Sequence, residues 1–145
     1  MLALIREDTA LVANLGDSRC YHLHDRRFVS VSTDDTVAQH LVSAGEISSL
    51  DRDGHPMSGR LTQYVGMAPP TRPHLATVEL APHDRLLLCT DGLTHAVSDD
   101  QIGSILRDTA DLDAACQSFV DASHAAGGQD NLTALVIESC RQVSV

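Results

Sequence analysis

Hydrophobic and polar positions alternate in short stretches through the first part of the chain and recur at helical spacing in its last third. Residues 2–6 and 10–15 predict two strands joined by the turn Glu7-Asp8-Thr9, and residues 19–24 and 27–32 repeat the pattern around Asp25-Arg26. Read together, these four segments predict a meander of antiparallel strands. Thr33 predicts a helix N-cap, with Val37, Leu41 and Val42 on one helical face and Gly45 at the helix end. Residues 46–60, rich in Ser, Asp and Gly, predict a polar surface flap; 61–65 predict a short strand or helical turn, and 66–74, with three prolines, a connector. Residues 75–80 and 85–90 predict strands on either side of Ala81-Pro82-His83-Asp84. Ser98 and Gln101 make a capping box ahead of Ile102, Ile105 and Leu106. Asp111 caps a further helix whose apolar face is Leu112, Ala115, Cys116, Phe119 and Val120, and Gly127-Gly128 stops it. Residues 132–138 predict a last strand, and a loose tail follows from 139.

Strands first and helices late, with no repeat and no low-complexity tract, predict one α+β domain. A length of 145 residues suffices for one core. Aromatic residues make up only 3% and Trp is absent, so that core is aliphatic. No apolar run approaches the roughly 20 residues that span a bilayer. Met1-Leu2-Ala3-Leu4-Ile5-Arg6 is too short for a signal-peptide core and has no basic region before it, which predicts a cytoplasmic protein with no membrane partner. A net charge of −10 argues against a nucleic-acid partner, whose backbone needs clustered Lys and Arg. Cys20, Cys89, Cys116 and Cys140 form no CxxC pair and read as reduced structural thiols. The eight histidines include no i, i+4 pair and no finger pattern, although His22 and His24 share a strand face and allow an adventitious site. A serine nucleophile lacks the G-x-S-x-G elbow.

The chemistry lies in three acidic turns. Asn14-Leu15-Gly16-Asp17-Ser18-Arg19, Cys89-Thr90-Asp91-Gly92 and Gly128-Gln129-Asp130-Asn131 each place one Asp where a turn meets an apolar strand. A carboxylate held at a strand end has a fixed direction, which it needs to share a hard cation with a second carboxylate. Three such aspartates, distant in sequence, suggest one oxygen-ligand metal site. Asn131 reads as a residue that fixes its turn through its own backbone.

Taken in order, Gly16-Asp17-Ser18-Arg19, Thr90-Asp91-Gly92 and Gly128-Gln129-Asp130-Asn131-Leu132-Thr133 resemble the later motifs of the metal-dependent protein phosphatases of PPM type, also called protein phosphatase 2C. The resemblance runs from about Ala3 to Glu138. It implies a bacterial protein serine/threonine phosphatase acting on phosphoserine and phosphothreonine proteins, a kinase or its targets among them, through two Mn²⁺ or Mg²⁺ ions. It implies an α/β/β/α sandwich of two antiparallel sheets flanked by helices. Residues 1–138 would form a partial phosphatase domain and 139–145 a tail. Asp91 and Asp130 would be metal ligands, and Asp17 either the ligand of a third, weaker metal or an Asx turn. Asp34-Asp35 falls where relatives carry Asp-His before a helix; with the His absent, N-capping is the simpler role.

The chain also departs from the pattern. It shows no Asp-Gly-x-Gly-Gly turn, whose Asp bridges the metals, and no preceding strand bearing the phosphate-holding Arg. The expectation is therefore an N-terminally incomplete domain, weak or inactive alone, with unpaired sheet edges through which it dimerises or binds a complementary fragment. The alternative is a non-catalytic, degenerate module that binds a partner as a regulator. A metal-binding structural domain unconnected with phosphate is a third reading.

Overall fold

The computed structural model describes residues 1–68 and 70–140. Strands β1 (Leu2–Arg6) and β2 (Thr9–Asn14) form a hairpin, as do β3 (Arg19–His24) and β4 (Arg27–Ser30). The two hairpins do not form one meander. β1 and β2 join β5 (His74–Glu79) in a three-stranded antiparallel sheet ordered β1-β2-β5. β3 and β4 join β6 (Arg85–Cys89) and β7 (Ala134–Glu138) in a second sheet ordered β4-β3-β6-β7. The segment between Asn14 and Arg19 must therefore cross from one sheet to the other, and the first acidic turn lies on that crossing.

The two sheets face each other across Ala10, Val12, Cys20, Leu80 and Leu86. Alternation along β3 and β6 sends Tyr21, Leu23, Leu87 and Cys89 to the opposite face. There they pack under helices α2 (Asp91–Thr94), α3 (Asp99–Asp108) and α4 (Leu112–Ala125), which contribute Leu93, Ile102, Leu106 and Phe119. The second sheet is thus buried on both faces, which explains the continuous Leu86-Leu87-Leu88 run. Tyr21 and Phe28 stack at 4.7 Å within this layer. The described chain is α+β, with two antiparallel sheets and four helices.

Several expected boundaries move. The cap of α1 (Val37–Ser43) is Thr36, whose side chain accepts from the Gln39 amide, and not Thr33. Neither Asp34 nor Asp35 caps the helix, because both carboxylates are taken by long-range donors. Leu61 makes a single bridge to Thr36, so 61–65 is neither a strand nor a helical turn. Leu132 and Thr133 precede β7 instead of belonging to it. Ser98 accepts from the Gln101 amide as expected. Arg85 closes the far end of α3, donating to the carbonyls of Leu106, Thr109 and Ala110 at 2.8, 2.6 and 2.8 Å. Ser139 is held by two backbone bonds of 2.8 Å with His83 and Asp84, while 141–145, the rest of the expected tail, lie outside the described residues.

Candidate metal centre

All three acidic turns sit at the same end of the sandwich: Asp17 after β2, Asp91 after β6 and Asp130 before β7. Asp91 is not part of a plain turn. It opens α2, a four-residue helix capped by Thr90, so its carboxylate stands at a helix start. Sequence periodicity cannot reveal a helix this short.

Close packing joins this helix to the Asp130 loop. Thr90 receives the Thr133 amide on Oγ1 at 2.9 Å, and its own amide donates to the Thr133 carbonyl at 3.0 Å. Thr90 Oγ1 also donates to the Asn131 carbonyl at 3.3 Å. A Cβ on Gly92 would lie 2.5 Å from the Asn131 oxygen, so only glycine lets the two backbones meet. Ser123 of α4 donates to the Gly92 carbonyl at 3.1 Å and packs on Gly128, where a Cβ would collide with its hydroxyl. A cleft of about 150 Å³ opens beside this junction, lined by Gly92, His95, Ala96, Gly128 and Asp130. A larger cleft, of about 1090 Å³, lies at the opposite end of the sandwich, near Glu7, His24 and Pro82. None of the three aspartates lines it, whereas Asp130 lines the smaller cleft beside Gly92, the neighbour of Asp91.

Asp17 is half-buried, and its carboxyl is pushed above the ordinary carboxylate range, first by burial and then by the negative charge of Asp91. Asp34 adds to the rise, while its own backbone amide and His95 oppose it. His95 Nδ1 lies 3.9 Å from Asp91 Oδ2. Asp130 is exposed, and its Oδ1 accepts from the Asn131 amide at 2.7 Å. The negative charge of Asp91 is felt at Asp17, and hydrogen bonds stitch the Asp130 loop to the Asp91 helix. Among the described residues no three His, Cys, Asp or Glu side chains converge into a group that could hold a metal ion. The three aspartates stand at one end of the sandwich, with the Asp91 and Asp130 backbones joined by hydrogen bonds. Their carboxylates offer oxygen donors of like charge, which suits a hard divalent cation.

Arg19, which closes the first acidic turn, reaches well beyond it. Its guanidinium is buried and donates to Asp34 at 2.7–3.1 Å, to Asp53 at 2.7 Å and to Tyr21 at 3.4 Å. Burial opposes its charge, but the Asp34 bonds outweigh it and drive its pKa upward. Asp53, drawn from the 46–60 flap, is held at about 2: burial raises it, and the Arg52 and Arg19 bonds more than reverse that. Asp35 accepts the Gly16 amide at 2.9 Å, Gln63 at 2.8 Å and His74 at 3.0 Å. Asp34, Asp35 and Arg19 therefore clamp the Asp17 turn and tie the flap to it. The only signal in the sequence was the density of charge in these segments, which does not name partners.

His22 and His24 converge on Asp84, not on a metal. His22 Nε2 meets Oδ2 and His24 Nδ1 meets Oδ1, both at 2.8 Å, while the Ala81 amide donates to Oδ2 at 2.9 Å. This cluster pins the turn that carries the chain from β5 to β6.

Comparison with known proteins gives this geometry a context. The family model described as Stage II sporulation protein E (SpoIIE) matches residues 7–139. A Streptococcus pyogenes protein named as protein phosphatase 2C-type is 35% identical over 133 residues, which are 92% of this chain and 54% of that protein. The chain thus spans about half the length of such relatives. The crystal structure of the Mycobacterium tuberculosis serine/threonine phosphatase PstP/Ppp matches with a TM-score of 0.88 at 29% identity, over 96% of this chain and 58% of that one. The catalytic domain of PstP in complex with two manganese ions matches with a TM-score of 0.76 at 28% identity, over 94% and 56% of the two chains. On motif order, fold and family match together, the chain belongs to the SpoIIE/PPM-type family, the protein phosphatase 2C-like proteins, and spans part of that domain.

Proposed function

We propose that this chain supplies the Asp91, Asp130 and Asp17 portion of a metal-dependent protein serine/threonine phosphatase domain. The observation that carries the reading is the gathering of the three acidic turns at one end of a fold that matches a manganese-bound phosphatase. Asp91 and Asp130 would hold Mn²⁺ or Mg²⁺, and Asp17 would hold a further, weaker ion. When bound, such ions lower the pKa of a water and neutralise the phosphoryl oxygens of a phosphomonoester. The protein's part is positional. α2 directs Asp91, the Thr90–Thr133 bonds set the distance to the Asp130 loop, and Arg19 holds the turn of Asp17 through Asp34. The substrates would be phosphoserine and phosphothreonine proteins of the cytoplasm, a kinase or its targets among them.

The 145-residue chain alone would be weak or inactive, because it has no Asp-Gly-x-Gly-Gly carboxylate to complete the ligand set. The test is Mn²⁺-dependent hydrolysis of an aryl phosphate and of a phosphothreonine peptide, beside Asp91→Asn and Asp130→Asn. Alongside it, Mn²⁺ should raise the melting temperature of the wild type and not of Asp91→Asn, because a ligand that binds only the folded state stabilises it. A wild-type melt indifferent to Mn²⁺ would count against any metal site. Turnover abolished by both substitutions would show that the chain assembles a working centre and that the inactivity reading is wrong. A second reading, a non-catalytic module that binds a partner, draws on the same absence of a converged ligand trio.

A further inference from the structure

The flap of residues 46–60 is fastened by backbone only at its two ends. The Glu46 amide donates to the Leu41 carbonyl and the Val37 amide to the Arg60 carbonyl, both at 2.9 Å, so both ends rest on α1. Between them the backbone bonds are local turns. No flap residue belongs to either apolar cluster, and Leu50 is 93% exposed. Apolar burial therefore does not hold the flap down. Among the described residues, every hydrogen bond or ion pair that leaves 47–59 involves Arg52 or Asp53.

These contacts form one ionic chain. Arg19 Nη2 donates to Asp53 Oδ1 at 2.7 Å, and the buried Arg19 side chain is already committed to Asp34, so it cannot follow a moving flap. Arg52 grips the same carboxylate through Nε and Nη2 at 2.9 and 3.1 Å. It also reaches Gln39 of α1 at 3.3 Å and lies 4.0 Å from Asp99 at the start of α3. Asp53 thus stands between a guanidinium fixed in β3 and one carried by the flap. The last turn of the flap meets the candidate site: a Cβ on Gly59 would lie 3.8 Å from His95 Cε1, and His95 lines the small cleft with Asp130.

We propose that residues 46–60 form a lid over this cleft and that Asp53 is its latch, held shut by Arg19 and Arg52. Releasing the Asp53 carboxylate from Arg19 frees the stretch between the two α1 anchors and carries Gly59 away from His95. A charge-assisted bond is among the stronger single contacts, but the Asp53 side chain is half exposed, so water and salt weaken this one. A tie of that strength suits an element that opens and closes in use, and it makes opening respond to ionic strength. The lid role rests on the metal-centre reading, whereas the latch is testable without metal or substrate.

The test is amide hydrogen exchange of the whole chain, read by mass spectrometry in metal-free buffer, beside Asp53→Asn, Asp53→Glu and Asp51→Asn. Asp53 is half exposed, so circular dichroism should show an unchanged fold. Asp53→Asn should speed exchange in 46–60 by about threefold or more while the strands keep wild-type rates, and Asp53→Glu, which keeps the charge, should lose less. Asp51→Asn is the control: Asp51 accepts only from Ser48, inside the flap, so exchange should not change. Raising salt from about 0.05 to about 0.5 M should speed flap exchange in the wild type and not in Asp53→Asn. Acylation by diethyl pyrocarbonate reads the cleft. Asp53→Asn should raise the rate at His95 and leave it unchanged at His24, which is similarly exposed at the opposite end of the sandwich. Flap exchange indifferent to Asp53→Asn or to salt, or changed as much by Asp51→Asn, would overturn the latch. Faster flap exchange with unchanged labelling of His95 would overturn the lid.

Discussion

Replacing Gly92 with Ala would put a Cβ 2.5 Å from the Asn131 carbonyl oxygen and 2.9 Å from its carbon. Gly92 lies in helical backbone, which Ala adopts without strain, so the contact is the only obstacle. Backbone opposes backbone here, and no side chain can rotate away. The Asn131 segment would have to retreat by roughly 1 Å to reach ordinary contact. It is pinned by the Thr90–Thr133 bonds of 2.9 and 3.0 Å, which would stretch. Overpacking of this kind costs about 1–3 kcal/mol, and the gain in helix propensity from Gly to Ala returns about 1 kcal/mol. With backbone against backbone and no side chain to rotate away, the cost lies at about 2–3 kcal/mol, so the net loss should be about 1–2 kcal/mol, a fall in Tm of about 3–8 °C for a domain of this size. Gly103→Ala is the control. It gains the same propensity, but its Cβ meets a side chain and not a backbone, Cδ1 and Cγ of Phe28 at 2.9 and 3.0 Å, so its Tm should fall by less than that of Gly92→Ala. Thermal melts by circular dichroism, with and without Mn²⁺, read both variants. A Gly92→Ala protein as stable as the wild type would refute the claim that the two loops are fused by contact.

Three further outcomes follow from the ionic clusters and thiols. Arg19→Met would leave Asp34, with a side chain only 5% exposed, without its partner, and should cost about 3–5 kcal/mol in urea unfolding; Arg19→Met/Asp34→Asn should recover part of it, and a loss below about 1 kcal/mol for the single variant would contradict the clamp. The Asp84 cluster sets a pH window. His24 is raised above 6.5 by its Asp84 hydrogen bond, so its contribution is full below that pH and is lost as pH rises through the folded value. Burial alone would raise Asp84, but its His24, His22 and Ala81 bonds hold it below 3.8, so its contribution is present above that pH and is lost on acidification. The difference in Tm between the wild type and His24→Gln should therefore be larger at pH 6 than at pH 9, and an equal difference at both would rule the linkage out. Burial pushes the thiols of Cys20 and Cys89 up to about 12, whereas Cys140 is exposed. An aromatic disulfide reagent should label Cys140 quickly and Cys20 and Cys89 only on unfolding; rapid labelling of both buried thiols in the native protein would contradict their burial.

Much of the outline was legible because it rests on local rules. Alternation located the strands, and capping residues located α3 and α4, whose first turns close on Ser98 and Asp111. Motif order pointed to Asp17, Asp91 and Asp130 and to the family. What failed was anything decided between distant segments. Thr33 read as the cap, but the helix starts on Thr36, where the bridge to Leu61 and the bonds around Asp35 fix the backbone. Asp34-Asp35 read as a helix start because a sequence shows no partners; Arg19 and the Gly16 amide claim both carboxylates. His22 and His24 looked ligand-like on one strand face, but Asp84 is 62 and 60 residues away in sequence and takes both rings.

By itself, the sequence determined the α+β class, the order of the strands and of the longer helices, and which aspartates stand at turns, because propensity, alternation and capping act over a few residues. Only the tertiary structure decided that the first two hairpins belong to different sheets, since either pairing satisfies the same alternation and the choice turns on which apolar face is buried. It also decided that the Asp130 loop is stitched to the Asp91 helix. That arrangement depends on Gly92 meeting Asn131 backbone to backbone, and close approach between segments 39 residues apart is a property of packing and not of pattern.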